Sequence, residues 1–433
     1  MSKELTFATL GSVDAGKSTL IGTILSGKLD NGNGQNRKLV ARFIHEESTG
    51  KTSSISTHSI KNFNKTDKSV IFVDLCGHQK YLKTTLFGVM GYCPDYAILV
   101  IGSNHGITKM TREHMKILYY LKVPMIIALT KTDIMEKVYE SSDNKTDGLA
   151  RITNNIRKIF AKKELNIIDI NELIETNKST DSVIPNSNTI PLIKLSCKTG
   201  YGLNYFKDYL SGLPTQINMI IPKPITNTPY NIFQVETVYC PPGIGWVLTG
   251  ILKSSSEEGA ITPDTTLYIG PGKFNNEYLQ ARVWSIRNYY DEKVDKLKCG
   301  QRGCLAVRID KKITRNFFKK GTILTNNLDV IKKASYTFRA KIKLLNHPTN
   351  VKDNFTPVIH SGTIRQTAKI TVISKELNST NPIEKKDEPD SKCIYPGDTA
   401  IIEIKFLYGP EIVEPNQIFF LREGLTLGIG NFI

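Results

Sequence analysis

Gly11-Ser12-Val13-Asp14-Ala15-Gly16-Lys17-Ser18 is the stretch that decides the fold. It fits the phosphate-loop spacing G-x4-G-K-[ST], and its context strengthens it. An apolar run (ELTFATL, 4–10) precedes it as a strand, and a helix is expected from Lys17 to about Leu25. The spacing has a physical basis. Successive backbone amides must wrap phosphate oxygens, so the glycines allow close approach, and the helix N-terminus adds a favourable dipole. Lys17 supplies a point charge between the outer two phosphates, and the Ser18 hydroxyl suits one Mg²⁺ position. Working outward, SVIFVD (69–74), YAILVIG (96–102), PMIIALT (124–130) and IPLIKL (190–195) are further apolar runs of strand length. Runs without polar alternation suit strands buried on both faces. Segments of helical length, such as 111–121, lie between them. Together they predict a doubly wound α/β domain with a mostly parallel sheet. Residues 172–189 turn polar and Asn/Ser-rich and read as a surface insertion.

Three other strand ends carry the rest of the site, the last two of them the identity of the base. Asp74, in Val73-Asp74-Leu75-Cys76-Gly77-His78, can hold a Mg²⁺-bound water, and the Gly77 amide can sense the terminal phosphate. Asp133, in Thr130-Lys131-Thr132-Asp133, can accept hydrogen bonds from guanine N1–H and N2–H₂. Adenine offers a donor at neither place and would leave the carboxylate unpaired. Lys131 can cover the base. In Ser196-Cys197-Lys198 the Cys197 amide can donate to guanine O6, and Lys198 can pack on the ring. Nucleotide contacts are therefore expected from Gly11, Ser12, Val13, Asp14, Ala15, Gly16, Lys17, Ser18, Thr19, Asp74, Gly77, Thr130, Lys131, Asp133, Ser196, Cys197 and Lys198. Ligands of such sheets bind at the carboxyl ends of the strands.

Past a Pro/Asn-rich linker (222–231) the texture changes. Short apolar strands alternate with Gly, Pro, Asn and Asp turns, as in IFQVETVY, GWVLTGIL, QARVWSI, TAKITVI and TAIIEIKF. That pattern predicts β-barrels or sandwiches. Gly243-Ile244-Gly245-Trp246-Val247 reads as a strand turn, and Trp246 and Trp284 as packing residues. The run 376–392 reads as a flexible loop. The formal net charge of +16 favours a polyanionic partner, nucleic acid first. No run approaches the roughly 18 apolar residues of a membrane span, so no membrane partner is expected. The N-terminus does not read as a signal peptide. The seven cysteines are scattered without a CxxC pair, which fits reduced thiols and a cytoplasmic chain.

Taken with GSVDAGKSTLIG, LDNGNGQ, HEESTGKTSSIS, VDLCGHQKYLKTTLFGVMG, GSNHGITKMTREH, PPGIGWVLTG, HPTN, HSGTIRQTA and LREGLTLGIG, the chain resembles the translational GTPases nearly end to end. Within them it is most similar to the GTP-binding-protein-one subgroup, relatives of eukaryotic elongation factor one alpha and bacterial EF-Tu. The resemblance implies a P-loop GTPase domain (1–221) followed by two β-barrels (229–328 and 334–433), with GTP/GDP and Mg²⁺ as cofactors. It implies switch I at His45–Ser56, switch II at Asp74 to about Gly91, and His78 as the residue that orients the attacking water. It further implies a GTP-dependent, monomeric factor for tRNA or the ribosome. A GTP-gated scaffold in RNA surveillance or decay and a release- or rescue-type factor are the alternatives. The sulfate-activation GTPase subunit shares the architecture but fewer of these phrases. Arg365 and Arg422 fall in stretches like the family's last barrel, as RNA-phosphate contacts or ordinary barrel residues. Three departures stand out. The switch-I Mg²⁺ ligand is Ser54 by its following Ile55, with Thr52 as the alternative. Thr130 replaces the family's usual Asn, which is expected to loosen a tie to the phosphate loop. Ser12 replaces a His or Asn, and the partner of Val13 beside His78 becomes the polar Ser53.

Overall fold

The computed structural model describes residues 4–41, 52, 54–135, 148–162, 164–176, 183–186, 188–215, 228–256, 258–273, 277–319, 321–376 and 393–433. Two compact units divide the chain, the first spanning residues 1–89 and 93–216, the second 90–92 and 217–433.

The first unit is built on a seven-stranded sheet. Its strands are β1 (Glu4–Gly11), β2 (Ser56–Ile60), β3 (Ser69–Asp74), β4 (Tyr96–Gly102), β5 (Met125–Thr130), β6 (Asn166–Asp169) and β7 (Thr189–Lys194). Their order is β2-β3-β1-β4-β5-β7-β6. All pairings are parallel except β2 with β3. Every residue of β3, β4 and β5 is buried, which is why those runs lack polar alternation. Leu5, Phe7, Phe72, Tyr96, Ile98 and Val100 belong to one core cluster with Leu20 and Ile24 of helix α1 (Lys17–Ser26). Each such fully buried large side chain contributes about 1.5–3 kcal/mol of transfer free energy.

Helix ends differ in a way that matters for the site. Helix α2 (Leu82–Tyr92) follows β3. Helix α3 (Lys109–Leu121) has a capping box, with the Thr111 amide donating to Thr108 Oγ1 at 3.2 Å. Helix α1 has no side-chain cap, because Gly16 occupies the N-cap position with φ +92°. Its first amides are therefore left for a ligand. Helices α4 (Gly148–Ala161), α5 (Ile170–Glu175) and α6 (Leu203–Gly212) follow along the chain. The supposed insertion at 172–189 is corrected at both ends. Residues 170–175 are helical, capped by Asp169 accepting from the Asn171 and Glu172 amides. Val183 is buried, and the Tyr209 hydroxyl donates to its carbonyl at 2.5 Å.

The second unit holds two closed antiparallel barrels. Strands β8 (Asn231–Tyr239), β9 (Trp246–Ser254), β11 (Thr266–Gly270), β12 (Leu279–Asn288), β14 (Arg302–Ile309) and β15 (Ile323–Thr325) form the first, in the order β11-β12-β14-β9-β8-β15. A small ribbon, β10 (Ala260–Ile261) with β13 (Leu297–Lys298), accompanies it. Strands β16 (Thr337–Asn346), β17 (Val358–Ser361), β18 (Ile364–Glu376), β19 (Thr399–Phe406), β20 (Ile418–Glu423) and β21 (Thr426–Phe432) form the second. Alternation fixes the faces. On β16, Ala340, Ile342 and Leu344 point inward, and Arg339, Lys341 and Lys343 outward. Closure leaves neither barrel with an open edge among its described strands. Gly243 and Gly245 lie in the β8–β9 turn, both at positive φ. Trp246 packs on Phe318 with centroids 5.0 Å apart, whereas Trp284 is exposed, with the Arg308 guanidinium over its ring. Most of the linker 222–231 and all but the first residue of 376–392 lie outside the described residues.

A buried polar cluster joins the barrels. Lys319, from the β14–β15 connection, makes a 2.8 Å ion pair with Glu411, which precedes β20. Gln366 Nε2 donates to Glu411, and Gln366 Oε1 accepts from the Tyr408 and Gly409 amides at 2.8 Å each. Gln234 of the first barrel donates to Thr363 Oγ1 at 3.0 Å.

Candidate functional site

The carboxyl ends of β1, β3, β5 and β7 open onto one cavity of about 410 Å³. The phosphate loop forms one wall. Gly11 (φ +151°), Asp14 (φ +58°) and Gly16 (φ +92°) take backbone conformations that curl the loop. A Cβ on Gly11 would lie 2.3 Å from the Val100 carbonyl oxygen, so no other residue fits there. Lys17 is buried and its ammonium donates to the Ser12 carbonyl at 2.8 Å. Burial holds that ammonium below its ordinary pKa, opposed by the Asp74 carboxylate. An anionic ligand would reverse the imbalance. Ser12 thus contributes its carbonyl to the lysine, a role its side chain does not reveal.

At the β3 end, the Ser18 hydroxyl donates to Asp74 Oδ2 at 2.7 Å. Thr52 Oγ1 lies 3.3 Å from Ser18 Oγ and donates to Asp74 Oδ2 at 3.5 Å. Two hydroxyls and a carboxylate make a hard oxygen set suited to Mg²⁺. Thr52 lines the cavity and joins this set, whereas Ser54 is not among the lining residues. Ser53 and residues 42–51 of switch I lie outside the described residues. Gly77 is wedged against the loop, since a Cβ there would sit 2.5 Å from Lys17 Nζ and 2.7 Å from the Gly11 carbonyl oxygen. His78 is exposed, lines the cavity with Val13, and its Nδ1 accepts from the Lys80 amide at 3.1 Å.

At the β5 and β7 ends the structure corrects one expectation. Thr130 does not loosen the tie to the phosphate loop. Its Oγ1 donates to the Ala15 carbonyl at 2.6 Å, because a short hydroxyl suffices where the strand end and the loop are in contact. Lys131 sits at φ +60°, and its carbonyl accepts from Ser103 Oγ at 2.6 Å. The Asp133 carboxylate is fixed by Ser196 Oγ at 2.6 Å; that same oxygen accepts from the Lys198 and Thr199 amides at 3.2 Å. Burial pushes the Cys197 thiol up to about 12, so it stays protonated. Thr130, Lys131, Asp133, Cys197 and Lys198 all line the cavity with Val13, Asp14, Gly16, Lys17, Ser18 and Thr19. Arg365 and Arg422 lie on β18 and β20 of the second barrel.

Sequence reasoning missed one wall. Residues 28–37 pass from α1 to a short 3-10 turn (Asn36–Leu39) and contribute Asp30, Gly32, Asn33, Gly34 and Arg37. Asp30 organises the loop. Its carboxylate accepts from the Gly32, Gly34 and Asn36 amides at 2.9, 3.2 and 2.9 Å, and its own amide donates to the Cys197 carbonyl at 2.9 Å. The available signal was an Asp followed by Gly at alternate positions, the pattern of a carboxylate capping nearby amides.

This geometry defines a nucleotide-binding P-loop domain carrying two β-barrels. Residues 2–234 match the elongation factor Tu GTP binding domain family, and residues 331–433 match the elongation factor Tu C-terminal domain. The chain belongs to that family, the translational GTPases. It is 30% identical over 449 residues to GTP-binding protein 1 of Xenopus laevis, covering 99% of this chain and 62% of that protein. It is 27% identical to elongation factor 1-alpha of Thermoplasma volcanium, covering 99% of this chain and 97% of the relative. The GTP-bound GTPase-like domain of S. cerevisiae Ski7 shares the fold, with a TM-score of 0.66, 16% identity, and 100% and 97% of the two chains covered. The chain thus spans less than two thirds of the length of GTP-binding protein 1.

Proposed function

We propose that this chain is a GTP-operated switch that binds GTP with Mg²⁺, hydrolyses it, and engages tRNA or the ribosome in one nucleotide state only. The observation that carries it is the convergence, in one cavity, of an uncapped helix start, a buried lysine and a braced aspartate at the base end. Asp133 accepts from the guanine edge, already oriented by Ser196. The loop amides and Lys17 hold the phosphates. Ser18, Thr52 and Asp74 hold Mg²⁺, directly or through water. When bound, the ion neutralises charge on the outer phosphate oxygens. His78 holds and orients the attacking water, with Nδ1 engaged by the Lys80 amide and Nε2 left for that contact. Gly77, packed on Lys17, passes the loss of the terminal phosphate into the switch II segment. The net charge of +16 supports an RNA partner, and the match to elongation factor 1-alpha supports a cytoplasmic place in translation. Domain limits of 1–221, 229–328 and 334–433 accompany this reading.

The test is single-turnover hydrolysis by His78→Ala. Binding of a non-hydrolysable GTP analogue should change less than about twofold while turnover falls about 10²–10⁴-fold. Unchanged turnover would remove His78 from the mechanism. Adding ribosomes and aminoacyl-tRNA separates the roles: faster wild-type hydrolysis supports the translation role. No acceleration, with GTP-dependent capture of nucleases, supports a scaffold in RNA decay, and capture of a decoding-type protein supports a rescue factor.

A further inference from the structure

The loop that Asp30 organises carries a cation whose purpose the fold does not explain. Arg37 lines the nucleotide cavity, yet its guanidinium makes no hydrogen bond or ion pair among the described residues, and its Nε is buried without a partner. An arginine so placed, half-buried and unpaired, is a cost to the folded chain unless something else meets it. Its position is held. A Cβ on Gly34 would lie 2.9 Å from Arg37 Nε and 3.2 Å from its Cζ, so the guanidinium lies against glycine backbone, at a residue with φ +75°. The next residue back is also fixed: Asn36 Nδ2 donates to Thr23 Oγ1 at 3.0 Å and to the Lys28 carbonyl at 2.8 Å. Gly22 of α1 packs so closely that a Cβ would meet the Asn36 carbonyl oxygen at 2.0 Å. The arginine therefore sits on an anchored platform.

The platform is tied to the base end of the cavity. Asp30 bonds to the Cys197 carbonyl, and a Cβ on Gly32 would lie 3.1 Å from Lys198 Nζ. A cation carried from that side reaches the phosphate nearest the nucleoside, whereas Lys17 serves the far end. We propose that Arg37 is a nucleotide-contacting residue whose guanidinium donates to the α-phosphate of the bound guanine nucleotide. The proposal rests on the cavity being a GTP site. It sets Arg37 apart from an arginine that acts on the transferring phosphoryl group, because the α-phosphate is common to substrate and product. Arg37 then raises affinity for GTP and GDP alike without touching the hydrolytic step.

Calorimetric titration of the full chain with GDP, a non-hydrolysable GTP analogue and guanosine tests this, using Arg37→Gln and Arg37→Lys. Loss of one charge-assisted contact should raise Kd for both nucleotides by the same factor, about tenfold or more, where tenfold is about 1.4 kcal/mol. Guanosine affinity and kcat at saturating GTP should stay within about twofold, and Arg37→Lys should recover part of the loss. Unchanged GDP affinity, a loss confined to kcat, or an equal loss for guanosine would each overturn the assignment; the last would make Arg37 a strut of the loop. Circular dichroism guards against a misfolded variant, and Arg37→Lys remains informative if Arg37→Gln fails to fold. If the wild-type chain takes up no guanine nucleotide, the functional reading fails, and this proposal with it.

Discussion

Two buried lysines show how differently one side chain is used in the two units. Lys17, in the phosphate loop, has its ammonium against a main-chain carbonyl and near Asp74, which is itself engaged with Ser18 and Thr52. Lys319, between the barrels, is paired directly with Glu411, which also accepts from Gln366. Burial lowers both lysines from their ordinary pKa. At the barrel seam the protein answers the charge with its own carboxylate and closes the network. At the phosphate loop the partners are incomplete, and the cavity in front of the lysine is open. A polar network that is finished rigidifies a fold, and one left unfinished is a binding site.

The largest expected effect breaks the finished network. Lys319→Met should destabilise the barrel unit by about 3–5 kcal/mol in chemical denaturation, because it strands a buried carboxyl. The sign of the pH dependence follows from Glu411, which burial raises from 4.5 to about 7 even with Lys319 present. An acid whose folded pKa is raised binds its proton more tightly in the folded state, so its contribution to stability falls as pH rises from its unfolded value through the folded one. Without Lys319 the carboxyl shifts further upward, and the deficit of the variant should grow as pH rises above about 7. A deficit independent of pH would mean the loss comes from packing alone. The matching change at the site should go the other way. Lys17→Met should cost less than about 1 kcal/mol in the absence of nucleotide, or stabilise, since it removes a desolvated cation with no carboxylate of its own. The same variant should lose the shift in melting temperature that saturating GDP gives the wild type. A large nucleotide-free destabilisation would show that Lys17 is a structural ion after all.

The parts of the site legible in sequence are those where chemistry demands a residue type at fixed spacing. The phosphate loop, Asp74 with Gly77, and Asp133 with Lys131 all qualify, because each is a short run at a strand end. The wall from Asp30 to Arg37 was not legible as a site. Its ties run to Thr23, Cys197 and Lys198, and only the folded sheet brings Cys197 and Lys198 beside it. Thr130 departs from the expectation set by residue kind because distance decides: a hydroxyl reaches Ala15 without a longer amide. The choice between Thr52 and Ser54 turned on one following residue, and switch I backbone geometry has no sequence period to read. In the fold, long apolar runs announced β3, β4, β5 and β7. The edge strand β2 (STHSI) did not stand out, since only Ser56 of its five residues is buried. The Lys319–Glu411 pair carries no motif at all.

Recognition of guanine by Asp133 is the claim on which the switch reading turns, and titration with guanosine and xanthosine diphosphates measures it most directly. Wild-type chain should bind GDP and reject XDP and ADP. Asp133→Asn should weaken GDP by about two orders of magnitude, as expected when a buried pairing group is lost, and should gain affinity for XDP. Undiminished GDP binding by Asp133→Asn, or equal uptake of ADP by the wild type, would contradict the account.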